Sequence, residues 1–320
     1  MNFTKKTLFW FIVLIMLGGV FFFYDKKEEE VKQLKEEQLK LLPTAVNEVS
    51  EFWVNYIKEN RQIKVVREGD AWQLVQPISV NGDVEAIEKL LTNVITARKD
   101  AVLFDKVEQP KLEELGLGDP EVEMGLKYAN QETVIVFGER GPTNNVAYAM
   151  FKGRPEIYRV HSDLKKEVSL DTYALRDKVI LDFNPPKMRR LEIVKKGMPR
   201  VVIEQNESKW NVLEPTAEMA SMARVLELLY VVKNGKIKAF ADESPTDLAK
   251  YGLSSPMLQL NIYQEKKEKP FVLMIGNKDR ANRAYFAKVN QMEKVFDVEE
   301  DLVNSILLNM NSLAEENAGK

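Results

Sequence analysis

Arg159-Val160-His161-Ser162-Asp163 sets the chain's one histidine beside a serine and an acid, the groups a hydrolytic triad employs. A triad needs those groups to converge in space, which adjacency along the chain does not provide. The segment reads instead as a strand running into a helix capped by Ser162. Gly276-Asn277-Lys278-Asp279 has most letters of a guanine-reading Asn-Lys-x-Asp element, but the aspartate comes one position early. No Gly-x-x-x-x-Gly-Lys-Ser/Thr phosphate loop accompanies it, so a hairpin turn is expected there. Asn234-Gly235 reads as a helix C-cap. Glu113 with Glu114 and Glu299 with Glu300 are adjacent on helices and diverge, which makes neither pair an acid/base dyad. Trp72 and Trp210 offer flat faces for a sugar or peptide, yet their apolar strand context assigns both to the core.

Cysteine is absent, which removes disulfides, thiolate metal sites and a cysteine nucleophile together, and one histidine leaves a zinc site short of its usual ligands. No catalytic, metal or cofactor residue is assigned. With 46 basic against 49 acidic residues the net charge is -3, and no basic field exists to attract nucleic acid. Hydrophobic residues at 45% and charged residues at 30% describe a folded body, and 320 residues suffice for two domains.

Two features position whatever chemistry there is. The first is an expected membrane anchor within residues 1–25. Residues 7–24 carry no charge and as a helix span about 27 Å, enough to cross a bilayer core. No small-residue cleavage site follows, which favours an uncleaved signal anchor over a signal peptide. Trp10 and Tyr24 lie towards its ends, as interfacial aromatics do. Lys5 and Lys6 face Lys26, Lys27, Lys32 and Lys35 across the span, and this count alone favours a cytoplasmic body. The short two-lysine tail is the usual form of a signal anchor, however, and the body is placed outside the cytoplasm. Residues 26–45 read as a polar helical stalk ending at Pro43, too short to establish a coiled coil.

The second feature is an internal repeat. Trp72-Gln73-Leu74-Val75-Gln76-Pro77 returns 138 residues later as Trp210-Asn211-Val212-Leu213-Glu214-Pro215. Ile87, Leu90, Leu91 and Val94 recur as Val225, Leu228, Leu229 and Val232, each set one face of an amphipathic helix. Phe104 answers Phe240. Leu112 to Pro120 answers Leu248 to Pro256, so that Gly116, Leu117 and Pro120 align with Gly252, Leu253 and Pro256. Gly138 answers Gly276, Ala147-Tyr148 answers Ala284-Tyr285, and Tyr158 answers Phe296. Aligned in this way, His161 falls opposite Glu299. Each Gly-Leu-x-x-Pro reads as a left-handed helix stop, and Ser244-Pro245-Thr246-Asp247 as the N-cap of the second copy's helix. Alternating strands follow each proline: residues 122–126, 133–137, 146–151 and 156–160, with counterparts at 258–262, 271–275, 283–289 and 294–298. Hairpins at 54–66 and 191–204 precede the tryptophans, and a closing helix begins near Ser162 and near Glu299.

The expected fold is therefore α+β: two tandem repeats, each an antiparallel meander with packed helices, behind one transmembrane helix. The first unit is assigned to residues 46–183, the second to 184–313 from Asn184-Pro185-Pro186 onward, and 314–320 to a disordered tail.

The Trp-x-x-x-x-Pro opening, the Gly-Leu-x-x-Pro stop and Leu175-Arg176-Asp177-Lys178 together resemble the bacterial domain-of-unknown-function family 4340, in two copies covering nearly everything after the stalk. The resemblance implies an anchored, extracytoplasmic protein of the bacterial envelope, found beside components of ABC-type export systems related to gliding machinery. No catalytic residue is established for that family, and none carries over. The expectation is a non-enzymatic interaction or accessory protein of the inner membrane, its partners other envelope proteins and the bilayer through residues 7–24. The alternatives are a glycan- or peptide-binding module and a carboxylate-based hydrolase.

Overall fold

The computed structural model describes residues 3–100, 109–141, 143, 145–310, 312 and 313, with only the backbone described for 3–9, 11–15, 18–20, 23–24 and 109–110. The tail at 314–320 and Phe104 lie outside the described residues. The chain divides into two compact units, Met1–Asp177 and Lys178–Lys320. The division falls six residues before Asn184, because Ile180, Leu181 and Phe183 are buried in the second core.

Helix α1 (Phe3–Leu39) is continuous through both the expected anchor and the stalk. Residues 25–38 are exposed throughout, as a charged spacer should be. No helix of described residues is long and apolar enough to cross a membrane. Most side chains of 7–24 lie outside that description, so the anchor rests on the sequence. The stalk stops at Leu39 rather than Pro43. Leu41 donates to the Ala97 carbonyl (2.6 Å) and Leu42 to that of Ile95, while Lys99 donates to Leu39 (2.8 Å). Leu41 and Leu42 are thereby fully buried, and the apolar pair joins the core where a longer helix would have left it in water.

The first unit continues with β1 (Val49–Tyr56), β2 (Arg61–Glu68), β3 (Ala71–Gln76), β4 (Val80–Asn81), α2 (Val84–Thr96) and α3 (Gln109–Glu114). Then come β5 (Val122–Tyr128), β6 (Gln131–Arg140), β7 (Val146–Phe151), β8 (Ile157–His161), α4 (Asp163–Val168) and α5 (Thr172–Leu175). The strands form one antiparallel sheet in the order β4-β3-β2-β1-β5-β6-β7-β8. Alternation sorts its residues between two faces. Phe52, Val54, Ile135 and Phe137 face a core closed by Ile87, Leu90, Leu91, Val94 and Ile95 of α2, whose first turn is capped by the Asp83 carboxylate (Ala86 N–H, 3.1 Å). Val136, on the opposite face, meets Leu115, Leu117 and Ile157 in a smaller apolar layer.

The second unit comprises β9 (Met188–Lys195), β10 (Val201–Asn206), β11 (Lys209–Glu214), β12 (Glu218–Met219), α6 (Met222–Asn234) and β13 (Ile237–Asp242). Strands β14 (Leu258–Gln264), β15 (Phe271–Asp279), β16 (Ala284–Val289) and β17 (Val295–Glu299) follow, then helix α7 (Glu300–Met310). Its sheet order is β12-β11-β10-β9-β14-β15-β16-β17-β13, which repeats the order of the described strands of the first unit and carries β13 at the edge beyond β17. Two like units are what a duplication requires. They are richer in strand than expected, and in the second copy the segment before the meander is hardly helical. In the second copy only a 3-10 turn, Ala249–Tyr251, forms, and Ser244 caps nothing. The Asp242 carboxylate takes the Ser244 N–H (3.1 Å) and the Tyr251 hydroxyl (2.6 Å), and Asp247 takes the Ala249 N–H (2.8 Å). Side chains thus capture donors that a longer helix would need.

Candidate functional site

The repeated landmarks all serve the fold. Trp72 and Trp210 are buried in their respective cores. Phe52 meets the Trp72 ring edge-on at 5.9 Å, and the Arg67 guanidinium lies 4.2 Å from its centroid. Each tryptophan carbonyl accepts from the residue that turns the chain towards the next helix, Gly82 in one copy (2.7 Å) and Ala220 in the other (3.0 Å). Pro77 and Pro215 both follow cis peptide bonds, a shared feature the sequence did not announce.

Gly116 (φ +69°) and Gly252 (φ +72°) adopt the left-handed conformation that side chains disfavour. Leu117 donates to Leu112 (2.8 Å) and Leu253 to Leu248 (3.0 Å), the long bond of a Schellman stop. Both leucines are buried on the outer face of their sheet. Gly138 and Gly276 make room: a Cβ there would stand 2.3 Å from the Leu115 carbonyl oxygen and 2.1 Å from that of Tyr251. Pro120 and Pro256 then lead into β5 and β14.

The groups with chemical potential do not coincide with these landmarks. His161 is exposed, its Nδ1 accepting from the Asp163 N–H (3.3 Å) and lying 3.5 Å from the Asp163 carboxylate. It lines an open hollow of about 390 Å³ with Arg98, Asp100, Asn145 and Arg159. No hydrogen bond joins Ser162 to His161 among the described residues, and Ser162, in helical conformation itself, makes no side-chain cap. Gly276 to Asp279 is not a turn but the end of β15, where the register shifts between Ile275 and Lys278. Glu114 pairs with Lys111 (2.7 Å), Glu299 with Lys238 (3.8 Å) and Glu300 with Lys278 (2.9 Å), so the adjacent glutamates do not act together.

Three buried carboxylates stand out on the sheets. Glu123 receives both bonds of Lys152 at 3.0 Å. Glu192 sits between Arg190 and Arg200 (2.9 Å each) and Asn261 (3.3 Å). Burial works to raise its pKa, and these partners more than offset that, holding it below the usual carboxylate range. Asp297 differs. It is fully buried in β17, on the outer face with Val295, and its Oδ1 has no hydrogen-bond partner among the described residues. Its Oδ2 accepts from Asn282 Nδ2 at 2.7 Å, and the same amide donates to Asp279 Oδ2 at 2.9 Å. Burial first, then the neighbouring Asp279 charge, push the Asp297 carboxyl up to about 6, against the Asn282 hydrogen bond and the field of Lys238. Two carboxylates therefore do converge, which no spacing in the sequence forced. The available signal was an aspartate inside Val295-Phe296-Asp297-Val298, a charged residue in an otherwise apolar strand. Among the described residues no group of three or more His, Cys, Asp or Glu side chains could hold a metal.

The model of the domain of unknown function DUF4340 matches residues 72–229 and again 220–318. The chain belongs to the DUF4340 family. The first match opens at Trp72 and runs through most of α6, and the second opens just before α6, so the DUF4340 matches do not coincide with the compact units Met1–Asp177 and Lys178–Lys320. No curated protein and no solved structure matches this DUF4340 chain.

Proposed function

We propose that this DUF4340 protein is a non-enzymatic interaction protein, tethered to the inner membrane by residues 7–24, with both units outside the cytoplasm. The role that best suits it is an accessory part of an ABC-type export or gliding-related envelope system. One observation carries the reading: the residues shared by the two units go mainly into cores, turns and close backbone contacts, and none of the candidate reacting groups weighed above, His161, Asp297 and the adjacent glutamates, is shared. Arg159 stands where the second unit has Asp297, and His161 where it has Glu299. An enzyme built by duplication would be expected to retain reacting groups in at least one open cleft, whereas Asp297 is closed off from solvent. The stalk supports tethering, since α1 leads from the charge-free segment straight to Leu41 and Leu42 in the first core.

The ligand-binding alternative loses its best platforms, because buried Trp72 and Trp210 present no face to a sugar or peptide. Affinity purification of the full chain from detergent-solubilised membranes tests the proposal. Co-purification of transporter subunits is expected, and a preparation containing this protein alone would count against it.

A further inference from the structure

We propose that the hollow between α6 and α7 of the second unit is a docking surface for a basic amphipathic helix of a partner protein. The inference rests on the interaction role proposed above and names the surface and the kind of partner that role would use. The hollow is open, about 500 Å³ in volume, and lined chiefly by Glu227, Tyr230, Val231, Glu299, Asp301 and Leu302. Its floor is apolar. Val231 and Leu302 are half-buried against the second core, and Leu302 lies so close to Gly235 that an added Cβ would come within 2.8 Å of it.

The first unit shows what this helix looks like when it only meets water. With the buried stripes of α2 and α6 aligned, Ala223, Leu226, Tyr230 and Val231 stand where α2 has Glu85, Glu88, Thr92 and Asn93. Solvation asks for the polar set, and α2 has it. On α6 the aromatic ring of Tyr230 is left 45% exposed, and Leu308, two turns beyond Asp301 on the same stripe of α7, is 71% exposed. A tyrosine standing out beside an apolar hollow is the type of side chain that protein interfaces bury as an anchor.

Charge selects the occupant. Three carboxylates line the hollow, and among the described residues no lysine or arginine does. Glu227 has exposed Arg224 nearby (3.1 Å) and Glu299 reaches Lys238 only at 3.8 Å, while Asp301 forms no ion pair among the described residues. Anionic lipid headgroups would be repelled by such a rim. A second copy docked face to face on the hollow would set the same carboxylates against one another. A helix that places aliphatic side chains between lysines or arginines satisfies both the apolar floor and the acidic rim.

The absence of cysteine allows a single reporter to be placed at will. Exposed Asn304, beside the hollow, and exposed Thr92, the first unit's equivalent of Tyr230, are each replaced by cysteine in the full chain and labelled with an environment-sensitive fluorophore. The probes are a synthetic leucine–lysine peptide patterned as one amphipathic helix and its leucine–glutamate counterpart, added to the protein in a neutral detergent. The lysine peptide should give a saturable response at Asn304→Cys and none at Thr92→Cys, and the glutamate peptide none at either. Tyr230→Ser and Asp301→Lys, both exposed changes, should each weaken the response about tenfold. Equal responses at the two reporters, equal responses to the two peptides, or indifference to both substitutions would overturn the proposal. So would no response at all, or a signal at Asn304→Cys that depends on protein concentration without peptide, which would assign the face to a second copy. No transporter subunit enters this test, so its failure counts against the surface, whereas failed co-purification counts against the export system as the partner.

Discussion

The outer faces of the two sheets show what duplication preserved and what it released. In the first unit Trp53 lies over Gly125, where an added Cβ would come within 2.1 Å of the indole ring. The structurally equivalent residues of the second are Glu192 and Asn261, joined by a hydrogen bond and flanked by Arg190 and Arg200. Where one unit packs an aromatic ring on a glycine the other holds a polar network, and the strands beneath keep the same order. The inner faces tell the opposite story, with tryptophan and amphipathic helix both retained, and on the outer face the glycine-led stop is kept as well. Constraint in this fold is therefore concentrated on the inner core and the Gly-Leu turn, while the outer face is free to acquire chemistry particular to one unit.

The largest expected effect sharpens that contrast. Trp72→Ala and Trp210→Ala should each cost about 3–5 kcal/mol, measured by denaturant unfolding, whereas replacing half-buried Trp53 by leucine should cost distinctly less. Similar losses at all three positions would erase the distinction between faces.

Asp297→Asn should act in the other direction. The folded carboxyl titrates at about 6, above its ordinary value of 3.8, so the native state holds a proton that the unfolded chain releases. Stability from this group is fully present below about pH 4 and lost as pH rises through 6. The variant should therefore be more stable than the wild type at pH 7, by up to about 3 kcal/mol, with the difference vanishing near pH 4. A gain independent of pH would contradict this origin.

Smaller still, Gly116→Ala and Gly252→Ala should each cost about 1–2 kcal/mol through left-handed strain and contact with Glu139 or Asn277. Matching values would show that the two turns do the same work, and a large disparity that they have diverged.

Much of the architecture was legible in the residues. The offset of the tryptophans, the four-residue helical stripes and the strands of each meander correspond to observed elements, because each arises from local periodicity, although β15 runs on through the turn expected at Gly276 to Asp279. What escaped depended on partners distant in sequence. Residues 237–242 gave no strand signal, since β13 exists through pairing with β17. The expected Ser244 cap failed because Asp242 and Asp247 captured the nearby backbone donors. The encounter of Asp279 with Asp297 required two strands and the turn between them to fold first. Leu41 and Leu42 looked like the end of a stalk until the residues after α2 supplied an extended partner.

Hydrogen exchange on the full chain, comparing Trp72→Ala with Trp210→Ala, tests most directly whether two copies of one fold carry the same internal logic. Loss of protection should centre on β1–β3 and α2 in the first variant, and on β9–β11 and α6 in the second, one pattern displaced by a repeat. If the two substitutions loosen strands that do not correspond, the shared tryptophans hold different structures together, and the units are alike in outline only.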